Sequence, residues 1–230
     1  MTERGMIFNA EMVRAILDGR KTQTRRLLKQ ATGPSLSVEE ESLGVAELSW
    51  LYGDGPGYEV HEHVKLVHFP YGKPGDRIWV RETFRVHSRA TDLATLVYKA
   101  SEQQSWTQQT HRVPIEQCNK PAVVERWTPS IHMPRWASRI LLEITDVRVE
   151  RLNSITEKDA EAEGIDMETL ADSQDCYDCI ADHNMTGRPT VTGAFKYLWE
   201  SIYGEESWQA NPWVWVIEFK RIEGDDHATD

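Results

Sequence analysis

Lys21 and Thr24, three residues apart, are the first pair in this chain able to do chemistry together. A threonine hydroxyl is a poor nucleophile at neutral pH unless a neighbouring base removes its proton, and a neutral lysine amine is such a base. Lysine becomes neutral near pH 7 when burial or nearby cations depress its pKa, and Arg20, Arg25 and Arg26 supply the cations. The same residues fit a solvated strand behind a helix C-terminus, where the helix dipole favours Lys and Arg.

A second candidate, Glu163, ends the run Thr156-Glu-Lys-Asp-Ala-Glu-Ala-Glu-Gly164. A carboxylate in a last helical turn meets the negative end of the dipole, at a cost of roughly 0.3–1 kcal/mol. Local rules are often broken where a site needs it, although an exposed acidic helix has the same composition. Cys176, Cys179 and His183, with Cys118 distant, make half of a zinc signature. Asp175, Asp178 and Asp182 among them fit a solvated turn as easily, so the expectation is no metal. Trp127, Trp136, Trp213 and Trp215 could stack on a base; Trp136, next to Arg135 and Pro134, is the best placed.

Local patterns say how these residues are positioned. Met12, Val13, Ile16 and Leu17 form one face of a helix over Ala10–Asp18, with Asn9 as N-cap and Gly19 as its stop. Residues 22–26 then alternate as an extended segment, which would point Lys21 and Thr24 apart unless Lys21 lies in the turn. Residues 29–72 read as an irregular insertion holding at most a hairpin near Tyr58–Phe69. Ile78–Val86 reads as one strand carrying Glu82 among apolar neighbours, and Leu93–Lys99 as another. Ser101–Arg112 reads as a loop or surface arm, and the prolines of Trp127–Trp136 exclude regular structure. A long strand over Ser138–Glu150 leads to a helix from Thr156 to Glu163; a helix at Phe195–Tyr203 and a strand at Trp213–Lys220 follow. Strands distant in sequence must then pair, which makes an α+β fold, most simply a small, partly closed barrel with helices at its ends.

Composition narrows the partners. At 230 residues with 40% hydrophobic residues, the chain suits one domain with insertions. No run of about eighteen apolar residues and no signal-peptide pattern is present, so the expectation is a soluble cytoplasmic protein without membrane contact. A net charge of −11 disfavours a long nucleic-acid backbone while leaving a single nucleotide acceptable. Five cations between Arg20 and Lys29 mark the anionic-ligand candidate.

Ile16-Leu-Asp-Gly-Arg-Lys-Thr-Gln-Thr-Arg-Arg26, Pro74-Gly-Asp-Arg-Ile-Trp-Val-Arg-Glu82 and Leu152-Asn-Ser-Ile-Thr-Glu-Lys-Asp-Ala-Glu-Ala-Glu-Gly-Ile165 resemble the ASCH domain, a PUA-like β-barrel family. Pro129–Ile140 and Asn211–Phe219 are similar to its longer, phage-borne branch. The likeness spans nearly the whole chain, outside insertions near 31–71, 101–123 and 167–192. A compact bacterial branch hydrolyses N4-acetylcytidine to cytidine and acetate, and its Lys, Thr and Glu motif matches Lys21, Thr24 and Glu163. The resemblance thus implies a cofactor-free amidohydrolase in which Thr24 attacks and Lys21 takes its proton. Glu163 would orient Lys21 or activate water, and Arg26 would steady the oxyanion. Arg26, Glu82, Arg135 and Trp136 are the expected substrate-binding residues. A rival expectation is an RNA or modified-nucleobase binding module using Arg25, Arg26, Arg135 and Trp136 without chemistry. A phage accessory protein is a third.

Overall fold

The computed structural model describes residues 1–31, 37–42, 44–52, 61–172 and 190–222. In chain order the elements are strand β1 (Glu3–Ile7), helix α1 (Ala10–Leu17), β2 (Gln23–Leu27), β3 (Ser37–Ser42), β4 (Val45–Tyr52) and β5 (His61–His68). There follow β6 (Arg77–Arg81), β7 (Phe84–Arg89), β8 (Leu93–Tyr98), a single-turn helix α2 (Trp106–Gln109), β9 (Thr110–Pro114) and β10 (Leu141–Arg151). Last come α3 (Glu157–Ala162), α4 (Met167–Asp172), α5 (Val191–Tyr203) and β11 (Trp213–Ile222). The fold is α+β, and no helix among the described residues is long and apolar enough to cross a membrane.

The chain divides into two compact units. The first comprises Met1–Gly19, Asp76–Glu143 and the chain from Lys220. Here β1 runs parallel to β6, from Glu3 opposite Arg77 to Ile7 opposite Arg81, and the first residues of β10 run antiparallel to β6. A second, antiparallel sheet has the order β7-β8-β9. Phe84, Val86, Leu96, Tyr98, Val113 and Met133 form its apolar core. Strand β1 carries no sequence signal, because Met6 is its only buried residue and its pairing comes entirely from β6.

The second unit comprises Arg20–Gly75 and Ile144–Phe219. Its strands β10, β11 and β2 are neighbours in that order, with Gln23 opposite Glu218 and Leu27 opposite Val214. One face of β2 and β11 packs on a core of Leu152, Ala160, Phe195, Trp199, Val214 and Val216. On the opposite face Trp215 meets Phe69, their ring centroids 5.5 Å apart.

Three sequence expectations are corrected. The stretch 29–72 holds a three-stranded antiparallel sheet, β3-β4-β5, not at most a hairpin. Register brings Val38, Ala46, Leu48 and Val67 to one buried face, while Glu39 and Glu47 between them make the run look like an acidic loop. The expected single strand over Ile78–Val86 breaks at Glu82 and Thr83 into β6 and β7, where the Glu82 amide donates to the Met133 sulfur at 3.1 Å instead of to a strand carbonyl and its side chain pairs with Arg139. Finally, Ser101–Arg112 is no free arm: it contains α2, and β9 begins within it and pairs with β8.

Candidate active site

Local rules end the helix that precedes Lys21 in the chain. Asn9 accepts a hydrogen bond from the Met12 amide at 2.8 Å, and Gly19, at φ 77°, supplies the left-handed residue that ends α1. Strand β2 begins only at Gln23, so Lys21 lies in the connection. That connection is held on both sides: the Thr22 amide donates to the Ala162 carbonyl at 2.8 Å, and the Phe219 amide donates to the Thr22 carbonyl at 2.9 Å.

The other half comes from α3. Thr156 and Asp159 form a reciprocal capping box at its start, Glu163 is its C-cap, and Gly164 leaves it at φ 92°. Lys21 Nζ donates to Glu163 Oε2 at 2.6 Å and to the Glu163 backbone carbonyl at 2.7 Å. One ammonium therefore answers both the carboxylate and the unpaired carbonyl of the helix end, which explains why an acidic residue is tolerated there. Both residues are buried, Lys21 at 2% and Glu163 at 3% exposure. Burial pushes the Lys21 pKa below its ordinary value; Glu163 opposes this, and the charges of Arg26 and Arg25 push the same way as burial.

Strand alternation sorts the residues of β2. Gln23 and Arg25 face one way, toward Asp159 and Glu150. Thr24, only 1% exposed, and Arg26 face the other way, in register with Ile217 and Trp215. The structure thus meets the requirement that Lys21 sit outside the strand. Among the described residues no hydrogen bond joins it to the Thr24 hydroxyl.

Around the pair lies an ion network for which the sequence reading made no provision. Arg25 donates to the Gln23 side chain and approaches Glu150 at 3.3 Å and Asp159 and Glu163 at 3.6 Å. Arg148 holds Glu150 Oε1 and Glu218 Oε1, both at 2.6 Å, and reaches Asp159 Oδ1 at 3.4 Å. Burial disfavours the Asp159 charge, but hydrogen bonds from Thr156 and Gln23 and the nearby Arg25 hold its pKa below the usual carboxylate value. A signal for this network existed: Asp146, Arg148 and Glu150 recur at every second residue of β10 and so share a face.

Glu82, Arg135 and Trp136 belong to the first unit and are engaged there. Both Glu82 oxygens accept from Arg139, at 2.9 and 3.0 Å, and Arg139 stacks over the Tyr98 ring at 4.0 Å and donates to Ser101 at 2.8 Å. Burial raises the Glu82 pKa, with Arg139 acting against it. Arg135 pairs with Glu3 at 3.0 Å, and Trp136 meets Phe84 edge-on in the core. Cys176, Cys179 and His183 lie outside the described residues, and among those described no group of three His, Cys, Asp or Glu is arranged to hold a metal.

Comparison of the chain with family models, curated proteins and solved structures finds no match.

Proposed function

We propose that this chain is an amidohydrolase of the ASCH type, with a PUA-like barrel as its architecture and N4-acetylcytidine-type nucleosides as its substrates. One observation carries the reading: a lysine and a glutamate 142 residues apart meet at 2.6 Å in a buried setting. Buried ion pairs are often neutral or unfavourable for stability against apolar replacements, so a functional use for the pair is a reasonable inference.

In the proposed reaction Thr24 Oγ1 attacks the amide carbonyl carbon while neutral Lys21 takes the hydroxyl proton. The tetrahedral oxyanion is met by Arg26. Collapse breaks the bond to the exocyclic nitrogen, which leaves as the cytidine amine with the proton from Lys21. Water then attacks the acetyl-threonine ester, giving a proton to Lys21, which returns it to Thr24 Oγ1 as the ester bond breaks; acetic acid departs and ionises to acetate in solvent. Glu163 orients the lysine in the resting state, and turnover requires the Lys21 amine to turn toward Thr24.

A binding module without chemistry is less well supported, because Arg25 is buried among carboxylates and Arg135 is paired with Glu3. The test is release of cytidine from N4-acetylcytidine, followed by chromatography. The expectation is turnover by the wild type and none by Thr24→Ala or Lys21→Met. Wild-type inactivity, or full activity of Thr24→Ala, defeats the proposal.

A further inference from the structure

The proposed reaction asks Lys21 to be neutral while Glu163 keeps its charge. A buried carboxylate whose counter-ion has become neutral is costly, so a second cation is needed. Arg25 is that cation. Its side chain has 0% exposure, and its Nη1, which donates to Gln23 Oε1, lies 3.6 Å from Glu163 Oε1, a buried oxygen that accepts no hydrogen bond among the described residues. Its Nη2 faces away, toward Glu150 Oε2 at 3.3 Å and Asp159 Oδ2 at 3.6 Å.

The outer carboxylates divide their oxygens between two arginines. Arg148 takes Glu150 Oε1 and Asp159 Oδ1, and it also holds Glu218 and Asp146. Arg25 receives the remaining oxygen of each, so part of its charge stays available to Glu163. Two other cations adjoin the pair: Arg26 on β2, which acts on Lys21, and Arg20, which donates to the Gly164 carbonyl at 2.9 Å.

We propose that Arg25 is a positioning residue acting through Glu163: its guanidinium carries the carboxylate's charge when Lys21 gives up its proton, and Glu150 regulates how much of that cation Glu163 receives. The proposal rests on the hydrolase reading for its purpose, but its electrostatics can be measured without turnover.

The experiment has two readouts on the full chain: the titration of Lys21, followed by NMR of lysine-labelled protein, and the pH profile of kcat/KM for N4-acetylcytidine. In Arg25→Gln, Lys21 titrates at least about one pH unit higher than in the wild type. The acid limb of the profile moves with it, a roughly tenfold loss below the limb, and the rate recovers at high pH. In Glu150→Gln both shifts run the opposite way. A loss equal at every pH, with Lys21 unmoved, makes Arg25 merely structural and overturns the proposal. If Arg25→Gln does not fold, Glu150→Gln decides: a downward shift supports the proposal, and an unmoved or upward one overturns it. A wild type without turnover defeats the hydrolase reading, while the Lys21 titration still judges Arg25.

Discussion

Glu163→Gln removes the main counter-charge of a fully buried lysine, and the cost can be worked from the geometry. The stranded ammonium either stays charged, short of its partner and close to Arg25 and Arg26, or loses its proton. From an ordinary value of 10.5, neutralising it at pH 7 spans 3.5 units at about 1.36 kcal/mol each, a ceiling of roughly 5 kcal/mol. Breaking one partner of a buried pair costs about 3–5 kcal/mol by itself, so the two routes agree on that range. The sign of the pH dependence follows from linkage. With the folded pKa of Lys21 below its unfolded value, the unfolded chain binds more protons between the two, and stability rises with pH across that window. Glu163→Gln extends the window downward. Its deficit against the wild type therefore shrinks as pH rises, by up to about 1.4 kcal/mol per unit. The double variant Lys21→Met/Glu163→Gln removes both charges and costs less than the sum of the singles, by about 1–3 kcal/mol. Urea denaturation at about pH 6, 7.5 and 9, read as midpoint shifts at constant slope, measures all three. A deficit that is flat or grows with pH, or singles that simply add, refutes the reasoning.

Other outcomes follow from separate parts of the molecule. Turnover of N4-acetylcytidine should rise with pH along the Lys21 titration, because only the neutral amine accepts a proton; a rate that falls from about pH 6 to 8 counts against Lys21 as base. Glu82→Gln should cost about 3–5 kcal/mol in urea midpoint stability by leaving Arg139 without its bidentate partner, and an unchanged midpoint would show that the pair is dispensable. Gly5→Ala should lower the melting temperature, since its Cβ would lie 2.5 Å from the Trp79 ring; the overpacking cost is about 1–3 kcal/mol. Thr156→Ala should cost about 1 kcal/mol through loss of the α3 cap and reduce activity through Glu163; an effect on neither melting nor rate would separate the cap from the site.

Much of the local structure was legible because its causes are local. Asn9 and Gly19 bound α1, Thr156 and Gly164 bound α3, and the alternation of β2 already said that Lys21 had to lie outside the strand. The sheet β3-β4-β5 was not legible, since its buried face exists only once Val38, Leu48 and Ala46 are brought into register with their neighbours. Glu82 was noticed as a carboxylate in an apolar run, but its partner Arg139 lies 57 residues away, and no spacing rule connects them.

The sequence by itself determined the chemical types, the helix ends, and the condition that a base at Lys21 would need a turn and an environment hostile to its charge. It also placed Arg25 and Arg26 next to that lysine, because neighbours in the chain cannot be far apart in space. Only the tertiary structure decided which carboxylate meets Lys21 and how Arg25 is shared between Glu163 and the carboxylates of β10 and α3. Desolvation and Coulomb interaction depend on distance and burial, and neither is defined until elements more than a hundred residues apart have packed.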